Sequence, residues 1–126
     1  MSGQTSDEAK VEYQGSCHCG RISFRFAGAA ITSGLRCNCS ICRRKGATMT
    51  AYVIAPDELQ IDVKDDALAT YEFGQNVAQH HFCKHCGIYT FHTTLRMPGH
   101  YRVNTGCVDG IDSSNLPFQV FDGASI

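Results

Sequence analysis

The chain has 126 residues, the size of one ordinary domain and too short for two catalytic domains flanking a cleft. Its 43% apolar and 18% charged residues exclude wholesale disorder, and a formal net charge of −1 gives no reason to expect nucleic acid or an anionic membrane as partner. The outlying number is eight cysteines.

Residues 1–10, MSGQTSDEAK, read as a solvated, flexible tail with neither the basic nor the apolar stretch of a secretory signal. No later run of about 18 apolar residues predicts a transmembrane helix. A cytoplasmic protein is expected. A reducing compartment disfavours disulfides and leaves metal binding as the leading account of clustered cysteines. No linker, repeat or low-complexity stretch interrupts 11–126, which is expected to form one domain.

The dominant apolar period is two. Ile22, Phe24 and Phe26 alternate with Ser23 and Arg25; Met49, Ala51 and Val53 with Thr50 and Tyr52; Leu59, Ile61 and Val63 with Gln60 and Asp62. Such alternation predicts strands with one buried face. Further strands are expected at 69–73, 77–82, 88–94, 101–108 and 117–121, with glycines in the turns between them. Helical turns are expected only near 40–45 and 57–60. The predicted fold is all-β, several small sheets with very little helix.

Seven cysteines fall in three groups: Cys17-His18-Cys19-Gly20, Cys37-Asn38-Cys39-Ser40-Ile41-Cys42 and Cys83-Lys84-His85-Cys86-Gly87. Cys107 stands apart. C-x-x-C-G is a metal knuckle, because two intervening residues turn the chain so that both sulfurs meet one ion. Tetrahedral zinc with Zn–S near 2.3 Å needs sulfurs about 3.8 Å apart. The glycine permits a positive φ. C-x-C on a strand presents both sulfurs on one face. Pairing Cys17 and Cys19 with Cys83 and Cys86 gives one closed four-sulfur site. The middle group offers three sulfurs from one loop. Three protein ligands and an open position describe a catalytic zinc site, whereas recruitment of Cys107 would close a second structural one. The spacing leaves both arithmetics open. The iron–sulfur spacings are not matched.

Charge is patterned locally. Arg36, Arg43, Arg44 and Lys45 give residues 36–45 a local +4, while 57–72 carry six acids against Lys64. Cations beside three thiolates favour the ionised sulfurs, attract an anionic substrate, or simply balance charge at a solvated loop. Among the histidines, His92 follows Cys86 by six residues on an expected strand and is a candidate to reach the open metal or a substrate. His18 is expected to face away from the metal. His80, His81 and His85 are expected beside the ligands or at the surface, and His100 at the surface.

The order of Gly15-Ser16-Cys17-His18-Cys19-Gly20, Cys37-Asn38-Cys39-Ser40-Ile41-Cys42-Arg43 and Phe82-Cys83-Lys84-His85-Cys86-Gly87 resembles the glutathione-dependent formaldehyde-activating enzyme family, which includes centromere-protein-V-like proteins. The resemblance covers about residues 13–123, with a C-terminal stretch, Tyr101 to Gly110, of the family's type. It implies a β-tent of small coiled antiparallel sheets pinned by two zinc ions. By that resemblance Cys17, Cys19, Cys83 and Cys86 match structural-zinc ligands, and Cys37, Cys39 and Cys42 match catalytic-zinc ligands. Cys107 matches no ligand motif. The implied activity is that of a carbon–sulfur lyase, condensing glutathione with formaldehyde to S-(hydroxymethyl)glutathione. Arg43, Arg44 and Lys45 are candidates to meet the tripeptide's carboxylates. The chain is close to the family's core domain in length, so a dedicated glutathione pocket is not implied. A second reading is a zinc-stabilised binding module without chemistry, centromere-protein-V-like or adaptor-like. A third, Cys83 and Cys86 as a redox dithiol, lacks the βαβ context of such motifs.

Overall fold

The structure, a computed structural model, describes residues 10–72, 78–94 and 97–125. The strands are β1 (Val11–Ser16), β2 (Ile22–Gly28), β3 (Gly34–Cys37), β4 (Met49–Thr50), β5 (Leu59–Val63), β6 (Leu68–Tyr71), β7 (Ala78–Cys83), β8 (Tyr89–Thr94), β9 (His100–Val103) and β10 (Phe118–Phe121). One six-residue helix, α1 (Ser40–Lys45), follows β3. Among the described residues the strands form three small sheets, ordered β1-β2-β5, β10-β3-β4 and β6-β7-β8-β9. No described helix is long and apolar enough to cross a membrane.

The first sheet is antiparallel throughout, and its period-two pattern places Ile22, Phe24 and Phe26 inward with Arg25 outward. The third sheet is antiparallel too, and its Phe91 meets Phe24 edge-to-face at 6.1 Å. Phe91 also takes the Tyr101 ring edge-on at 5.6 Å, the geometry aromatic quadrupoles prefer. Ile22, Ile54, Phe91 and Val103 complete a core sealed between the sheets. Gly15 is compelled there: a side chain at that position would strike the Cys107 carbonyl and the Phe24 ring.

The second sheet departs from a wholly antiparallel plan, because β10 runs parallel to β3. Most of the chain lies between those two strands, so no hairpin dictates their direction. The expected strand at 49–53 shortens to β4, followed by a lone bridge from Ile54 to Tyr101. The turn expected at 57–60 is a 3-10 turn at Pro56–Glu58, and β5 begins at Leu59. The expected strand at 101–108 breaks after Val103 into a 3-10 turn at Thr105–Cys107. There the Asn104 side chain accepts from the Gly106 amide, and Thr105 donates its hydroxyl to the Thr48 carbonyl at 2.6 Å. β1 and β3 are strands that the alternation did not announce. Positions 73 and 77 of two expected strands, and 1–9 of the expected tail, lie outside the described residues.

Candidate metal centres

Two hairpin turns build the first cluster. The β1–β2 turn carries Cys17 and Cys19, and the β7–β8 turn carries Cys83 and Cys86. Both turns close alike: the Cys17 amide donates to the Ile22 carbonyl at 3.0 Å, and the Cys83 amide to the Ile88 carbonyl at 3.0 Å. Gly20 (φ +85°) and Gly87 (φ +80°) make the left-handed step in each. Cys17 and Cys19 thus stand in a turn, not on the strand face expected from C-x-C spacing. The turn still converges their sulfurs to 3.7 Å, and Cys19 lies 3.6 Å from Cys83. All four sulfurs lie within 4.8 Å of one another, and these separations approach the edge of a tetrahedral four-sulfur zinc site. Backbone amides of Ile22, His85 and Cys86 each donate to a cluster sulfur at 3.4 Å. Hydrogen bonds from Arg21, backbone and side chain, hold the Cys19 thiol down at about 6.

The second cluster comes from one local segment. Cys37 ends β3, Cys39 caps the N-terminus of α1 and Cys42 lies in the helix. Their three sulfurs lie within 4.8 Å of one another. Burial pushes the Cys42 thiol up to about 12. At Cys39 burial works the same way, but hydrogen bonds led by the Cys42 amide leave its thiol below the ordinary value. Gly46, at φ 68°, stops the helix. Arg36 then secures that end, donating to the Gly46 carbonyl at 2.6 Å and to Thr48 Oγ1 at 2.9 Å, with its guanidinium 5.0 Å from the Phe118 ring centre.

The C-terminal segment straps this loop. Asn38 donates its amide to the Phe121 carbonyl at 3.2 Å and its Nδ2 to Asp122 at 3.0 Å, and accepts from the Ala124 amide at 2.9 Å. Gly123 packs so closely that a side chain there would collide with Cys37 Sγ.

The profile of the glutathione-dependent formaldehyde-activating enzyme family matches residues 12–122. The chain belongs to this family. It is also similar to a solved structure of a Rhodobacter sphaeroides protein, at 32% identity and a TM-score of 0.74, covering 84% of this chain and 99% of that one. In this family member Cys107 joins neither cluster; it is buried, directs its thiol to the Tyr89 carbonyl at 3.6 Å and is pushed up to about 11 by burial. The cysteines therefore gather as four and three.

The four cations expected to act together part company. Arg36 is committed to the helix end. Arg43 and Arg44 are exposed, and Arg44 donates to the Ser40 carbonyl at 2.9 Å. Lys45 turns inward, its Nζ 4.1 Å from the Tyr89 ring centre and 3.5 Å from His92 Nδ1. Tyr89 Oη in turn lies 2.9 Å from His92 Nδ1 and 2.6 Å from His80 Nδ1. Burial, with the Lys45 charge second, drives both imidazoles toward the neutral form, His80 to about 4. His92 is thus gathered with Lys45, which stands three residues after Cys42 on α1.

Sequence reasoning missed Tyr89 and Gly123. Tyr89 and His92 are three apart on one strand and should face opposite ways. A bulge opposite His81 and Phe82 inserts Thr90 as an extra residue and brings Tyr89 to the His92 side. His18 and His85 are exposed, while His81 is buried against Phe91. A cleft of 480 Å³ on the first sheet, lined by Gln14, Arg25, Gln60 and Asp62, contains no cluster residue.

Proposed function

We propose that the chain is a zinc-dependent carbon–sulfur lyase of the kind its family is named for, acting on adducts of glutathione, or a related thiol, with formaldehyde or another small aldehyde. One observation carries the reading: the first cluster gathers four sulfurs and the second only three, with an inward-facing cation on the same short helix. The donor set fits zinc in both places. Cys17, Cys19, Cys83 and Cys86 would hold a structural ion. Cys37, Cys39 and Cys42 would hold a second, whose open position lowers the pKa of a thiol bound there and polarises a carbonyl.

The rest is work for the chain's own side chains. Arg43 and Arg44, exposed on α1, meet the carboxylates of the tripeptide. His92 and Lys45 border the site from β8 and α1. The balance is simple: the thiol sulfur bonds to the carbonyl carbon, the C=O π pair moves to oxygen, and the thiol proton ends on that oxygen. No electrons are lost or gained. A reducing, cytoplasmic setting suits a protein with seven ligand thiols.

Native mass spectrometry under glutathione titration tests the proposal. Two zinc ions per chain, with glutathione adding only to the two-zinc species, is the expected result. A companion Cys39→Ser chain should keep its fold and one zinc and lose lyase activity. A two-zinc species that takes up no glutathione would overturn the reading in favour of a zinc-stabilised binding module.

A further inference from the structure

Lys45 is an unusual lysine. Its helix neighbours Arg43 and Arg44 are exposed, yet Lys45 sends its stem inward, against the tendency of such side chains to keep their charge in water. The position is set by α1: residues three apart share a helix face, so Lys45 lies beside Cys42. The ion pairs among the described residues are Lys10–Glu58, Arg21–Asp65 and Lys84–Asp66, and none involves Lys45. Instead it meets the Tyr89 ring face and His92 Nδ1.

An ammonium has three donors and no acceptor, so His92 Nδ1 is the acceptor in their contact. The bond to His92 leaves two of the three donors for other partners. The Tyr89 ring, placed by the Thr90 bulge, walls in the charge without neutralising it. The cation is therefore held beside the three-sulfur cluster with its charge uncommitted to any carboxylate.

From this geometry we propose that Lys45 is a catalytic residue that hydrogen-bonds the aldehyde-derived oxygen of the substrate. This rests on the lyase reading above. As the thiol sulfur bonds to the carbonyl carbon, negative charge grows on that oxygen, and a fixed cationic donor stabilises it most where the charge is greatest. In the reverse direction the same donor holds the hydroxyl of the hemithioacetal as the carbon–sulfur bond breaks. The proton that ends on oxygen is the one lost by the thiol, so the lysine supplies a hydrogen bond without net proton transfer.

The test compares wild type, Lys45→Met and Lys45→Arg. Turnover is read as magnetisation exchange between 13C-formaldehyde and its glutathione adduct. Thiol binding is read separately, from the sulfur-to-metal charge-transfer band of cobalt-loaded protein titrated with glutathione. Lys45→Met should lose about 100-fold in kcat, as for removal of one oxyanion donor, while its glutathione affinity stays within about threefold of wild type. Lys45→Arg, which keeps a cationic donor, should recover at least about tenfold of that loss. Unchanged kcat in Lys45→Met would overturn the proposal. So would a loss confined to metal retention or thiol affinity, which would make Lys45 a counter-charge for the sulfurs. If Lys45→Met does not fold, Lys45→Gln, polar but uncharged, takes its place under the same criteria. Wild-type protein that binds glutathione yet exchanges no formaldehyde would sink the lyase reading, and this inference with it; that result appears in wild type and so is distinct from failure of the lysine alone.

Discussion

Breaking the first cluster should cost far more stability than breaking the second, although both substitutions remove one sulfur. Cys19 and Cys83 are 64 residues apart. A cross-link closing a loop of that length removes chain entropy worth roughly 4 kcal/mol at 25 °C. Cys86→Ser, at a half-buried ligand that leaves little void, should forfeit most of it. For a domain of this size about 3–5 °C accompanies each kcal/mol, so the melting temperature should fall by roughly 12–20 °C. Cys37, Cys39 and Cys42 lie within one short segment already ordered by β3 pairing and by Asn38's bonds to the C-terminal strap. Closing so small a loop is worth at most about 2 kcal/mol, and Cys39→Ser should lower the melting temperature by less than half as much as Cys86→Ser. Thermal unfolding followed by circular dichroism, with zinc per chain measured on the same samples, decides the matter. Equal falls for the two variants, each having lost one ion, would refute the argument that loop length sets the contribution of each cluster.

Gly123→Ala should loosen the second cluster selectively. The new methyl meets Cys37 Sγ and Cys39 Cβ; overpacking of this kind costs about 1–3 kcal/mol, so chelator competition should show metal at that cluster held roughly 5- to 150-fold more weakly, with the first cluster unaffected. The pH dependence of stability carries a mark of His80. Its folded pKa is depressed from 6.5 to about 4, so the stability it contributes is fully present above pH 6.5 and is lost as pH falls from 6.5 toward 4. His80→Gln should flatten the wild-type fall between pH 7.5 and 5 by about 1–2 kcal/mol in urea titrations, and parallel curves would rule out a buried neutral imidazole. Replacing Arg43 and Arg44 together with alanine should weaken glutathione binding roughly 3- to 10-fold at low salt and leave 2-mercaptoethanol binding unchanged. Unaltered glutathione affinity would remove the two arginines from substrate recognition.

Much of this architecture was legible before any coordinates. Ile22, Phe24 and Phe26 announced β2 because one face of the first sheet is buried, and period two is what a one-sided sheet imposes on its sequence. The cysteine groups were legible because metal chelation is local: sulfurs two or three residues apart meet whatever the surrounding fold. β3, with its sequence Gly34-Leu35-Arg36-Cys37, was not legible. It is too short for alternation, and its partner β10 lies at the far end of the chain. The Lys45–His92–Tyr89–His80 cluster was hidden for a related reason. It depends on a bulge, and a single inserted residue reverses which side chains share a face without changing composition or hydropathy. Spacing alone left Cys107 undecided. Its place follows from a 3-10 turn at Thr105–Cys107, which puts its thiol against the Tyr89 carbonyl and not among the three sulfurs.

The two clusters differ in what the polypeptide asks of them. Each half of the first is a hairpin turn whose own hydrogen bonds, Cys17 to Ile22 and Cys83 to Ile88, fix two sulfurs; an ion would join the halves directly, across sheets that otherwise meet through the core. Giving up one of its four ligands would loosen a direct tie between two sheets. The second cluster is assembled by contacts that need no ion: β3 in its sheet, Arg36 on the end of α1, and the C-terminal strap through Asn38. An ion there joins parts of one loop that are already together, so exchanging its fourth ligand costs the fold little. A chain with one long-range and one local sulfur cluster can therefore keep its shape with the first while ligand exchange at the second disturbs the fold little. Lys45 follows the same division: the short helix that carries Cys42 also carries the inward-facing lysine, so the cation is placed by contacts that need no ion.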